Sequence, residues 1–135
     1  MSIIWSPEKI SQLTLEEIKR LAENAKTRSN EEVKDLVKAG MYVGSHGYSH
    51  LWLNHESYAS QENEIDRSLE FLDEVGAPTE DWIMCYPYGA YNQDTIAILQ
   101  KKKCALAITT EVKLANLSEH HPLALPRFDT NDFPQ

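Results

Sequence analysis

Short apolar runs alternate along this chain with capped amphipathic segments, and that alternation leaves few folds open. Residues 41–45 (MYVGS), 82–86 (WIMCY) and 105–110 (ALAITT) read as strands, with a weaker run at 123–128 (LALPRF) that carries a proline near its middle. The run 82–86 is apolar throughout, which predicts a strand buried on both faces. Helical patterns lie between these runs. Ser57 or Ser60 can cap a helix reaching about Val75, in which Ile65, Leu69 and Leu72 share one face while Glu62, Asp66, Arg67 and Asp73 stay outside. Gly76-Ala77-Pro78 ends it, and Asn92 can cap another helix running to about Lys103. Helix–strand alternation of this kind predicts parallel βα units, an α/β class whose functional residues gather at the C-terminal ends of the strands.

Helix signals also fill the first forty or so residues. Ser6-Pro7-Glu8 combines a cap with a first-turn proline, and Thr14 with Glu17, then Ser29 with Glu32, have the spacing of capping boxes. Behind them Leu15, Ile18 and Ala22, then Val33, Leu36 and Val37, recur at helical spacing until Gly40 supplies a stop. Two or three amphipathic helices are therefore expected before the first strand. At 135 residues the chain is read as a single domain, 1–135, large enough for a core but short for a closed eight-stranded barrel. It contains no internal repeat and no low-complexity segment.

Charge and composition narrow the partners. The net charge of −8, from 21 acidic and 13 basic residues, repels phosphates at long range, and no basic stripe offsets it, so nucleic acid is not expected. The Lys101-Lys102-Lys103 run falls where a helix would end and is read as complementing its dipole. No apolar stretch approaches the length of a membrane span, and no basic-then-apolar leader opens the sequence, which favours a cytoplasmic over a secreted location. Cys85 and Cys104 each sit in an apolar stretch without CxxC spacing and are expected to be buried thiols. Asn116-Leu117-Ser118 matches a glycosylation sequon that no leader supports.

His46 and His50 follow the first strand, flanked by Gly44 and Gly47. Two imidazoles four positions apart can converge on one Zn²⁺, with a third protein ligand needed for a catalytic site. Gly47 stands where the helical HExxH motif requires its glutamate, so that metalloprotease reading lacks its base. Surface histidines are the other explanation of the pair. The segment Tyr86-Pro87-Tyr88-Gly89-Ala90-Tyr91-Asn92 leaves another strand end and enters a helix cap, so its backbone N–H groups can point into the same crevice; a plain turn is the alternative.

Taken together, Gly44-Ser45-His46-Gly47-Tyr48-Ser49-His50, Glu64 and Ile65 on the next helix, Cys85 through Asn92, and Leu125-Pro126-Arg127 resemble the polysaccharide deacetylases, carbohydrate esterase family 4 with the NodB-homology domain. The resemblance is strongest over 33–135. It implies a distorted (β/α) barrel, here a partial one with parallel strands and flanking helices. It implies a divalent metal, usually zinc, on His46 and His50, activating water against an N-acetyl group of a sugar or polysaccharide. It also implies substrate contacts at Tyr88, whose backbone N–H is a candidate oxyanion donor, and at Arg127.

The sequence departs from the family pattern at three points. Gly47 replaces the usual Ser or Thr, and Cys85 stands near the place of an arginine. The third departure is the family's Asp-Asp pair, which supplies base and metal ligand: before His46 the single aspartate is Asp35, inside a helical pattern, and no Asp-Asp occurs. The first strands of the barrel are accordingly expected to be missing, leaving the catalytic base without an assignment. A non-catalytic remnant that binds metal, carbohydrate or a partner chain is the rival reading. An open sheet edge would favour a homo-oligomer. His120 and His121 are read as surface residues, and Arg127, Asp129 and Asp132 as a tail cluster able to reach the strand ends.

Overall fold

The computed structural model of the protein describes residues 2–4, 14, 16, 17, 20 and 30–134. The helix starts expected at Ser6-Pro7-Glu8 and Ser29 lie outside these residues, as do Leu15, Ile18 and Ala22. The capping box at Thr14 is present: its N–H donates to Glu17 Oε2 at 2.8 Å, and the Glu17 N–H donates to Thr14 Oγ1 at 3.2 Å.

Strand β1 (Ser2–Ile4) pairs antiparallel with β2 (Tyr42–Gly44), setting Ile3 opposite Val43. The sequence pattern placed no strand at β1, because three residues are too few to show a period. Ser45 extends β2 to β3 (Trp82–Cys85): its N–H donates to the Ile83 carbonyl at 2.9 Å and its carbonyl accepts from the Cys85 N–H at 2.8 Å. β4 (Cys104–Val112) lies parallel to β3, and β5 (Leu125–Arg127) parallel to β4. From β2 onward all neighbours are parallel, so the C-terminal ends of four strands share one side. This is the α/β arrangement expected of parallel strands with flanking helices.

Helix α1 (Asn30–Lys38) precedes β2, α2 (Tyr58–Val75) connects β2 to β3, and α3 (Gln93–Lys101) connects β3 to β4. Ser57 caps α2 by accepting the Ser60 N–H at 3.2 Å, and Gly76, at φ 78°, ends it in the left-handed conformation that favours glycine. Asn92 and Thr95 cap α3 reciprocally, each backbone N–H meeting the other's side-chain oxygen at 3.0 Å. Gln61, fully buried on α2, receives the Thr95 hydroxyl at 2.5 Å and so ties the two helices together.

The main core joins Leu53 and Ile65 to Trp82 and Met84 of β3, to Tyr86 just after it, and to Ile98 and Leu99 of α3. Each such aliphatic side chain contributes about 1.5–3 kcal/mol by leaving water. A second cluster packs Val33, Val43, Leu72 and Val75 between α1, β2 and α2. One expectation needs correcting here. β3 is not buried on both faces, because Trp82 and Met84 are covered while Ile83 and Cys85 are half-buried. The two cysteines are free and half-buried rather than fully buried; burial still pushes the Cys104 thiol up to about 12, so it stays protonated. The lysine run closes α3 and spends its charge locally, with Lys101 2.6 Å from Glu62, Lys102 2.7 Å from Asp66 and Lys103 2.7 Å from Glu80.

Candidate functional site

The site is built at the C-terminal ends of β2 and β3, where two tight loops face each other. The first loop, 46–50, follows Ser45. Its backbone N–H groups turn inward: Gly47 donates to Ser45 Oγ at 3.2 Å, while Tyr48 and Ser49 both donate to Glu64 Oε2, at 3.0 and 2.8 Å. Ser45 Oγ is in turn hydrogen-bonded to Ser68 Oγ on α2. This inward turn requires φ +73° at Gly47, where a Cβ would also stand 3.3 Å from Glu64 Oε2 and 3.7 Å from Pro87 Cγ. Gly47, without a Cβ, suits this backbone.

His46 is half-buried and His50 exposed, and their ring centroids are 4.7 Å apart. The His46 Nδ1 atom lies 2.8 Å from the Cys85 carbonyl oxygen. With Nδ1 donating there, Nε2 keeps its lone pair. Burial lowers the His46 pKa, so the ring is neutral and able to ligate at neutral pH. The two rings thus meet edge to face at the end of β2.

The second loop contains the 3₁₀ turn Pro87–Gly89. Tyr88 adopts φ 60°, and its ring meets His50 edge-on at 4.7 Å and stacks on Trp52 at 4.0 Å, nearly parallel. His55 stacks on Trp52 at 5.8 Å. Trp52 and Tyr88 are each about half exposed, 47% and 49%, so the rings form a walled, open platform beside the histidines. A cleft of about 470 Å³ lies on the neighbouring flank, lined by Gly44, Ser45, Tyr48, Arg67 and Ser68, and neither histidine lines it.

Arg127 reaches the same end of the sheet. Its Nε donates to the Thr109 carbonyl at 3.0 Å and its guanidinium pairs with Asp129 at 3.1 Å, and its charge contributes to lowering the His46 pKa. The tail carboxylates are engaged locally: Asp129 accepts from the Asn131 N–H at 3.1 Å, and Asp132 from the Asp129 N–H at 2.6 Å. The Asn131 N–H is the chief cause of a lowered Asp129 pKa. His120 and His121 serve their own turn, each Nδ1 accepting a backbone N–H, from Asn116 at 2.8 Å and Leu123 at 3.0 Å. Among the described residues no group of three His, Cys, Asp or Glu side chains could hold a metal ion. His46 and His50 therefore lie side by side with no third such side chain completing a group among the described residues.

Three contributors escaped the sequence reading of roles: the Glu64 carboxylate, the Cys85 carbonyl and the Trp52 ring. Glu64 alone left a signal, a carboxylate at helical spacing with Gln61, Ser68 and Leu72, all buried.

Residues 14–107 match the family model described as polysaccharide deacetylase. The chain is 29% identical over 83 residues to a putative polysaccharide deacetylase, YxkH, of Bacillus subtilis (strain 168), covering 62% of this chain and 29% of that protein. Among solved structures it is similar to the Streptococcus pyogenes deacetylase PplD in complex with acetate, with a TM-score of 0.68 and 27% identity over 74% of this chain and 43% of that one. It is also similar to a family 4 carbohydrate esterase from Streptomyces lividans in complex with acetate, with a TM-score of 0.56 and 25% identity over 62% of this chain and 42% of that one. The chain therefore spans less than half the length of these relatives.

Proposed function

The chain belongs to the polysaccharide deacetylase family, and on that premise we propose that it acts in the removal of acetyl groups from N-acetylated sugars, using a divalent metal, zinc by preference, on His46 and His50. The observation that carries this reading is the pairing of two imidazoles at 4.7 Å with one of them oriented by the Cys85 carbonyl. When bound, such a metal polarises the amide carbonyl and lowers the pKa of water. The residues around it have distinct tasks. His46 presents Nε2 because its other nitrogen is occupied. Trp52 and Tyr88 offer an aromatic wall for the apolar face of a sugar ring, and the Tyr88 N–H is the candidate donor to the oxyanion. Arg127 adds positive charge at the strand ends.

Among the described residues no third His, Cys, Asp or Glu joins the pair in a group able to hold a metal ion, and the carboxylate beside the loop, Glu64, is engaged by the Tyr48 and Ser49 N–H groups. A site without a positioned base forfeits roughly 10²–10⁴-fold in rate. The reading of a non-catalytic relative that binds metal or carbohydrate rests on that same observation. Zinc titration against a chromophoric chelator, run beside acetate release from N-acetylglucosamine oligomers, tests both. Zinc affinity lost in His46→Ala and His50→Ala supports the ligand pair, and affinity unchanged in both refutes it. Acetate release abolished by Asp129→Asn or Asp132→Asn would make the tail the source of the base.

A further inference from the structure

From the contacts of a single carboxylate oxygen, we infer that Glu64 is a positioning residue that sets the place of His50 relative to His46. The inference rests on the reading of the two histidines as a pair that acts together. They are held by different anchors. His46 is fixed through its ring, by the hydrogen bond to Cys85 on the neighbouring strand. His50 is exposed, and among the described residues its ring meets the rings of His46 and Tyr88, each at 4.7 Å between centroids. Its position is therefore inherited from the backbone, which reaches it at φ 58° directly after Ser49.

That backbone is shaped around Glu64. The carboxylate is 3% exposed, projecting from α2, a helix held by its own caps and by Ile65 and Leu72 in the two cores. Its Oε2 accepts from two consecutive N–H groups, Tyr48 at 3.0 Å and Ser49 at 2.8 Å, the second belonging to the residue before His50. Part-buried N–H groups need acceptors, and charge-assisted bonds to a carboxylate are the stronger kind. Gly47 completes the device, since any Cβ there would press on the same oxygen. Arg67, one turn further along α2, lies over the Tyr48 ring at 3.9 Å from its centroid and holds the loop's outer side. One oxygen on a rigid helix thus fixes the turn that delivers His50.

Three substitutions in the full chain test this. Glu64→Leu keeps the bulk and removes the acceptor, Glu64→Gln keeps an oxygen able to accept both N–H groups, and Gly47→Ala presses on the tether from the loop side. The readouts are the histidine ring resonances by NMR and zinc affinity by chelator competition. In Glu64→Leu and Gly47→Ala the His50 ring signals are expected to leave their ring-current-shifted positions while the His46 Nδ1–H bonded to Cys85 keeps its slow exchange, and zinc affinity to fall about 10- to 100-fold. Glu64→Gln should restore the parent pattern. If Glu64→Leu melts without cooperativity, Gly47→Ala decides. His50 signals that stay in place, or a His46 Nδ1–H that loses its protection along with them, overturn the inference, as does a failure of glutamine to restore the His50 signals. If the parent binds no zinc through the pair, the proposed function falls. The selective displacement of the His50 ring then decides the role of Glu64 alone.

Discussion

The Nδ1 atom of His46 lies 2.8 Å from the carbonyl oxygen of Cys85, a residue 39 positions away on the adjacent parallel strand. The N–H of that same Cys85 is taken by the Ser45 carbonyl. One strand pairing thus fixes both the start of the histidine loop and the orientation of its first ring. The chemistry of the site follows from sheet register, because sliding β2 along β3 would carry the ring away from its acceptor.

Burial holds His46 below the usual imidazole range, with the Cys85 hydrogen bond opposing in part. A group whose folded pKa is depressed binds fewer protons in the native state. Its stability contribution is full above the unfolded value of about 6.5 and is lost as pH falls through the folded value. The urea midpoint is expected to drop more steeply from about pH 7.5 to about pH 5.5 in the parent than in His46→Gln. Equal slopes would contradict the assignment.

Tyr88 combines a strained backbone with a stacked ring, and the two effects can be separated. Tyr88→Ala loses the contact with Trp52, worth about 0.5–1.5 kcal/mol, and keeps the left-handed φ. Tyr88→Gly loses the same contact and relieves a backbone cost of about 1–2 kcal/mol. The glycine variant is therefore expected to be the more stable of the two by about 1 kcal/mol in chemical denaturation, with both losing the tryptophan fluorescence signature of the stack. Were alanine the more stable, the φ at this position would not be a source of strain.

How far the sequence reveals this arrangement depends on the range over which each feature is encoded. Caps and amphipathic faces are local, so Ser57, Gly76 and Asn92 mark α2 and α3 correctly, and the histidines fall at a strand end as their flanking glycines imply. The anchor of His46 is a backbone carbonyl, which every residue possesses, so nothing about Cys85 in the sequence distinguishes it. Trp52 looks like one more apolar residue beside Leu51 and Leu53, yet Leu53 is buried and Trp52 is half exposed. The burial of β3 on both faces was misjudged because a run of apolar residues reports hydrophobicity, while coverage of the second face depends on what packs there.

Large apolar side chains are exposed along the last segment of the chain: Val112 at 57%, Leu114 at 77%, Leu117 at 76% and Phe133 at 57%. Exposed apolar surface of this kind favours association. The chain is expected to self-associate, with an apparent mass in light scattering that rises with concentration, and Leu114→Lys with Leu117→Lys should lower it. A monodisperse monomer at high concentration would rule this out.

Gly89 gives the sharpest steric test of the second loop. It sits at φ +69°, and an added Cβ would fall on Thr110 Oγ1 and stand 3.0 Å from both the Thr110 Cβ and its backbone nitrogen. The side-chain part of this clash can be relieved by movement, but the backbone part cannot, because Thr110 belongs to β4, held between β3 and β5. Gly89→Ala should therefore destabilise by roughly 1–3 kcal/mol from overpacking, with about 1–2 kcal/mol more from the left-handed backbone. The loop is also expected to move off β4, carrying the Tyr88 ring from Trp52. Adding Thr110→Ala removes the hydroxyl and leaves the backbone contact, so the double variant should recover only part of the loss. Full recovery would mean that the threonine hydroxyl, and not the approach of two backbones, is what demands glycine here.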